Sequence, residues 1–117
     1  MRHGNYKYRI GTNSAHRKAL LKNLAIDLID HGKIKSTHTK CKALQPFVEK
    51  LITIAKDDTV ANRRLAFSKI NNKEAVAKLF NDVAPKYKER NGGYTRVLKY
   101  SETRLGDGAE QSFILFV

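Results

Sequence analysis

A lone cysteine, a shortage of acidic residues and the lack of any long apolar run set the first limits on this chain. Cys41 is the only cysteine in 117 residues, so neither an intramolecular disulfide nor a cysteine-rich zinc site can be assembled from it. No stretch approaches the roughly 18 consecutive apolar residues that a membrane span requires. The segment Met1-Arg2-His3-Gly4-Asn5-Tyr6-Lys7 lacks the apolar core of a signal peptide. A soluble, cytosolic protein without a membrane partner is therefore expected. Asp and Glu total 11 against 23 Lys and Arg, a formal charge of +12, and such an imbalance is the electrostatic footprint of a phosphate-rich partner.

Catalytic constellations are missing as well. His3, His16, His31 and His38 have no histidine four residues away and no accompanying cysteine pair, so they read as surface or phosphate-contacting groups and not as metal ligands. Carboxylates sit beside cations, as in Glu49-Lys50 and Glu89-Arg90, a pattern of solvated ion pairs more than of an acid/base dyad. Asn91-Gly92-Gly93 has no following Lys-Ser/Thr and no preceding apolar strand, which excludes a nucleotide phosphate loop. A ribonuclease built on His16, His31 and a lysine is conceivable chemically, but no spacing singles it out. No catalytic residue, metal, cofactor or small-molecule substrate is expected.

What is present suffices for one core. Hydrophobic residues make up 41% of the chain, and a chain of this length fits one domain while being short for the two-domain plan of most cofactor-dependent enzymes. Residues 1–13 stand apart: Arg2, Lys7 and Arg9 interleave with His3, Tyr6 and Tyr8, with almost nothing aliphatic and no acidic residue. This composition predicts a flexible basic arm that orders against a partner, with charge following a backbone and rings stacking on bases. A merely solvated leader is the competing reading.

Residues 14–117 read as a single globular domain. Leu20, Leu21, Leu24, Ala25, Leu28 and Ile29 recur at helical spacing and predict a helix over about 14–31, capped by Asn13 or Ser14 and stopped at Gly32. Lys18 and Lys22 form a flanking ridge on it. Lys33 to Thr37 alternates as an edge strand. Leu44, Phe47, Val48, Leu51, Ile52 and Ala55 predict a second helix over roughly 39–56, which Pro46 must either kink or delay to a start near Gln45. Asp57-Asp58-Thr59 ends that segment and caps a third helix, Val60 to Ile70, and a fourth runs from an Asn72 cap to Ala84-Pro85. Tyr94 to Tyr100 alternates as a strand, and the apolar run Phe113 to Val117 predicts the middle strand of three. The order α-β-α-α-α-β-β gives an α+β, two-layer domain with a small three-stranded sheet, expected to be mixed.

Three stretches carry a family resemblance: Asn13-Ser14-Ala15-His16-Arg17-Lys18-Ala19-Leu20, Ala61-Asn62-Arg63-Arg64-Leu65-Ala66-Phe67, and Gly92-Gly93-Tyr94-Thr95-Arg96 followed by Arg104-Leu105-Gly106-Asp107. Together, in order over nearly the whole chain, they resemble the family of the bacterial ribosomal large-subunit protein numbered seventeen. The resemblance implies a non-catalytic ribosomal component that binds 23S ribosomal RNA beside neighbouring large-subunit proteins. It implies RNA contacts at Arg2, His3, Arg9, Asn13, Ser14, His16, Arg17 and Lys18, to which the composition of the arm and helix adds Lys7 and Lys22. Arg63, Arg64, Tyr94, Arg96 and Arg104 match further motif positions. Departures are Thr12, where the family commonly has Arg; Gln45-Pro46, where a basic residue is usual; and Leu115, in place of a frequent Glu.

Two points stay open on sequence alone. Arg63 and Arg64 point about 100° apart on a helix, so both cannot reach one phosphate. Tyr94, Arg96, Leu98 and Tyr100 share a strand parity and are equally a core face or a base-stacking platform. The alternative function is a general nucleoid-type DNA-binding protein, since the charge attracts any duplex, although no helix-turn-helix spacing is evident.

Overall fold

A computed structural model describes residues 13–117. Helix α1, Ser14–His31, starts where the Asn13 side chain accepts the His16 backbone N–H and ends at Gly32, whose φ of 76° supplies the left-handed turn that side chains disfavour. The chain enters β1, Lys33–Thr37, and then α2, His38–Ala55. The latter runs unbroken through Pro46 and begins at full length, so the delayed start does not occur. The first turns of α2 are anchored by the Thr37 cap and by the burial of Cys41 and Leu44, while Pro46 lies on the exposed side. Burying Leu44, Val48, Leu51 and Ile52 on the opposite face outweighs the roughly 3 kcal/mol that an internal proline costs.

Thr59 caps α3, Val60–Ile70, and Asn71 in the left-handed region ends it. Asn72 caps α4, Lys73–Lys78. The fourth helix does not continue as a regular helix to Ala84. It widens into a π-helical turn over Leu79–Val83 and tightens into a 3-10 turn over Ala84–Tyr87. Pro85 explains the change of pitch: it has no N–H to give, and its ring would crowd the carbonyl four residues back in a regular helix. Ala75, Val76, Leu79, Phe80 and Val83 are all buried nonetheless.

Strands β2, Thr95–Lys99, and β3, Gln111–Phe116, complete a sheet of order β1-β3-β2, with the apolar strand in the middle. Both pairings are antiparallel, so the sheet is not mixed. β1 and β2 run the same way, but β3 lies between them and no parallel neighbours result. The helices cover one face, where Ile34, Ile114 and Val97 form a cross-strand row against the core.

Polar groups on the covered face are satisfied, as burial demands. The buried Ser112 hydroxyl lies 2.7 Å from His38 Nδ1, which makes His38 a tie between α2 and β3 and not a surface group. Thr95 Oγ1 donates to Glu49 Oε2 at 2.7 Å, and the Thr95 carbonyl accepts from Gln45 Nε2. Glu49 is therefore engaged across the layers and not simply with the adjacent Lys50. Cys41 is buried beneath β3, and burial pushes its thiol pKa up, which suits a packing residue. Among the described residues no helix is long and apolar enough to cross a membrane.

Candidate nucleic-acid interface

The expected contacts Arg2, His3, Lys7 and Arg9 lie outside the described residues. The remaining ones fall on three parts of the surface. On α1, Ser14, His16 and Lys18 are exposed, while Arg17 and Lys22 are half-buried. The Asn13 amide oxygen is committed to the His16 N–H at 2.8 Å, so this residue shapes the helix start. Lys18 borders a groove of about 450 Å³ with Leu21 and Phe47, and Lys69 of α3 is on the same groove. Lys69 also lines a groove of about 640 Å³ that includes Lys50, Ile54 and Leu65. Lys18, Lys50 and Lys69 are exposed, so paired lysines on a groove offer a phosphate two ammonium partners whose attraction is screened by salt.

The second place is the start of α3, where the adjacent arginines separate. Arg63 forms a two-pronged pair with Asp58, Nε to Oδ1 at 2.6 Å and Nη2 to Oδ2 at 2.8 Å. Its guanidinium also reaches Asn81 Oδ1 and lies 5.0 Å from the centre of the Phe80 ring. The hydrogen bond from Arg63 holds the Asp58 carboxyl below the usual carboxylate range. Arg63 thus clamps α3 to the turn after α4. Arg64 is exposed and lines a groove of about 300 Å³ with Arg63, Val60, Phe67 and Lys73, so the two arginines share this groove and differ in that Arg63 is paired with Asp58.

The third place is the hairpin. Arg96 is exposed on the sheet face away from the helices. Tyr94 is not with it: its ring is 2% exposed and packs 5.3 Å from that of Tyr87. Its hydroxyl accepts from Lys56 Nζ at 2.8 Å, and that bond, helped by Thr53, lowers the phenol pKa. Tyr94 is thus packed as a core residue, and it also lines the groove of about 640 Å³ beside Lys50 and Lys69. β2 starts only at Thr95, after glycines 92 and 93 with φ of 102° and 64°. Strand parity therefore does not extend back to Tyr94.

Arg104 pairs with Asp107 across the tip of the hairpin, where Asp107 also accepts the Ala109 N–H at 3.1 Å. The Arg104 hydrogen bond, then the Ala109 N–H, lower the Asp107 pKa to about 2. A depressed folded-state value means that the brace contributes above the unfolded value, near 3.9, and is lost as pH falls through about 2. The Asp107 carboxyl carbon signal is expected to titrate near pH 2; a midpoint near 4 would show that the pair does not form in solution.

Comparison with known proteins places this geometry in a family. The family model described as Ribosomal protein L17 matches residues 20–117. The chain belongs to the ribosomal protein L17 family. Large ribosomal subunit protein bL17 of Persephonella marina is 53% identical over 117 residues, covering 95% of this chain and 94% of that protein. Its counterpart in Fusobacterium nucleatum subsp. nucleatum is 48% identical over 117 residues, covering all of both chains. The L17 model begins at Leu20, whereas the alignment with the Fusobacterium protein spans the arm and the start of α1 as well.

Within the L17 fold, sequence reading missed Lys69, Lys50 and Lys73 as groove residues, and Lys33 and Lys35 as part of a surface. Surface lysines look alike in a sequence. Only the packing of α3 against α1, α2 and α4 shows which of them share a cleft.

Proposed function

We propose that this chain is a structural, non-catalytic component of the large ribosomal subunit that binds 23S ribosomal RNA beside neighbouring large-subunit proteins, in the cytoplasm and without a cofactor. The observation that carries the reading is the match of nearly the whole chain to proteins named as large-subunit components. The physical chemistry agrees with it. A formal charge of +12 is distributed over α1, the Lys18–Lys69 groove, Arg64 and the sheet. Such a spread suits a partner that presents phosphates from several directions. The contacts proposed are the arm cations, Ser14, His16, Arg17, Lys18 and Lys22 of α1, and Arg64 and Arg96, while Arg63 and Arg104 act mainly through their carboxylate partners.

Binding to 23S RNA should weaken steeply with salt, because every phosphate neutralised releases counterions and lowers log K by roughly 0.7–0.9 per log unit of salt. A filter-binding titration across salt concentrations, with plasmid DNA as competitor, checks this. A flat salt dependence would indicate an apolar partner. Displacement of the RNA by DNA as readily as by unlabelled RNA would favour the nucleoid-type alternative.

A further inference from the structure

The face of the sheet turned away from the helices has a composition that the fold does not require. Register places Lys33, Leu115 and Arg96 in one row, and Lys35, Phe113 and Leu98 in the next. Tyr100, just past β2, donates its N–H to the Gln111 carbonyl and so extends the third row. Leu98 is 47% exposed and Tyr100 37%; Lys33, Lys35 and Arg96 are exposed, while Phe113 and Leu115 are half-buried. None of these positions carries a carboxylate. The neighbouring Glu110 is engaged by Lys99 at 3.8 Å.

The rings on this face are held in place. Tyr100 and Phe113 meet edge to face at 5.6 Å, with planes 87° apart. Lys33 Nζ lies 4.4 Å from the centre of the Phe113 ring, and Lys35 Nζ 4.2 Å from that of Tyr100. A lysine over an exposed ring is a weak contact on a flexible stem. The ammonium can move to a phosphate and leave the ring to a base, exchanging one cation–ring contact for an ion pair and a stack. Lys33 and Lys35 stand two residues apart on an edge strand, about 7 Å along the backbone, far enough to meet two phosphates. Their charges also discourage the addition of another strand at this edge.

We propose that this sheet face is a binding site for single-stranded RNA, in which unpaired bases stack on Tyr100 and Phe113 while Lys33, Lys35 and Arg96 hold the adjoining phosphates. The proposal rests on the RNA-binding reading above and adds the chemistry of one of its surfaces. Charge complementarity selects the occupant: three cations framing two rings and two leucines match a polyanion with π faces, whereas a duplex would present no unstacked base to the rings.

The test uses the full chain and a heptamer oligoribonucleotide carrying 2-aminopurine, whose fluorescence is quenched by stacking. The wild-type protein is expected to bind and quench it. Replacing both rings, Tyr100→Thr with Phe113→Thr, should weaken binding about tenfold or more and abolish quenching, with the salt slope unchanged because no charge is removed. Lys33→Gln with Lys35→Gln should lower the slope by about 1.4 and leave quenching at saturation intact. If the double ring variant does not fold by circular dichroism, Tyr100→Thr alone decides, since that exposed side chain lies beyond the end of β2. Quenching that survives the ring substitutions overturns the proposal. So do ring variants that bind RNA normally yet fail to enter subunits, which would give the face to a protein neighbour. Binding of 23S RNA is measured in parallel: normal binding with no quenching of the heptamer sinks only the sheet-face site, whereas no 23S binding at all sinks the parent reading.

Discussion

A chain beginning at Asn13 should bind 23S RNA about two orders of magnitude more weakly than the full chain and melt at the same temperature. The removed segment carries Arg2, Lys7 and Arg9 with Tyr6 and Tyr8. Three charge contacts and one stacked ring, each worth on the order of 1 kcal/mol, amount to roughly two to three orders of magnitude in affinity. The entropy lost on fixing such a segment against RNA discounts the figure towards the lower end. Stability should not follow, because among the described residues the buried core extends from Ala25 to Ile114, and the arm's composition offers it almost nothing aliphatic. The start point matters. A chain beginning at Ser14 also loses the Asn13 cap on the His16 N–H, at a cost of about 1 kcal/mol, or about 4 °C in melting temperature for a domain of this size. Paired melts and binding titrations of the two truncations separate cap from arm. Undiminished RNA affinity in both would reduce residues 1–12 to a solvated leader.

That contrast also shows what could be read from the sequence. The ends of α1 and the start of α3 were legible to within a residue or two because caps are local: of the candidates Asn13 or Ser14 and Asp57-Asp58-Thr59, the caps are Asn13 and Thr59, and Gly32 ends α1 as expected. The central place of β3 was legible because an apolar run without alternation calls for neighbours on both sides. Pro46 was not resolved by pattern, since its cost had to be weighed against burial of Leu44 and Val48 by layers not yet assembled. The widened turn at Leu79–Val83 leaves the apolar spacing intact and changes only the pitch. At the candidate interface, adjacency on a helix showed that Arg63 and Arg64 diverge, but which one is engaged depends on Asp58 and on Asn81, eighteen residues away in the chain. The side of the sheet taken by Tyr94 was not legible because period-two reasoning holds only within a strand, and β2 begins one residue later.

Ile114→Ala should destabilise the domain by about 3 kcal/mol, the largest effect expected of any single substitution discussed. Ile114 is 0% exposed at the centre of β3, opposite Ile34 on one side and Val97 on the other, with the helices beneath. Truncating a buried isoleucine costs 2–5 kcal/mol, as a transfer loss plus a cavity that the surroundings only partly fill. Both flanking strands and the helical layer fix this site, so collapse is limited and the middle of that range applies. For a domain whose total stability is of order 5–15 kcal/mol, the loss corresponds to about 12 °C in melting temperature. In urea, the midpoint should fall while the slope stays constant. Ile114→Val, which removes one methyl group, should cost about 1 kcal/mol. Leu98→Ala, on the same sheet but 47% exposed on the opposite face, should stay within about 0.5 kcal/mol of the parent. RNA affinity of the folded fraction should be unchanged in Ile114→Ala, because this side chain meets no solvent, while the cations lie on the surface. A loss of RNA affinity without a loss of stability at Ile114 would mean that the two faces of the sheet are not separated as described, and that the helical layer is not what holds β3 in place.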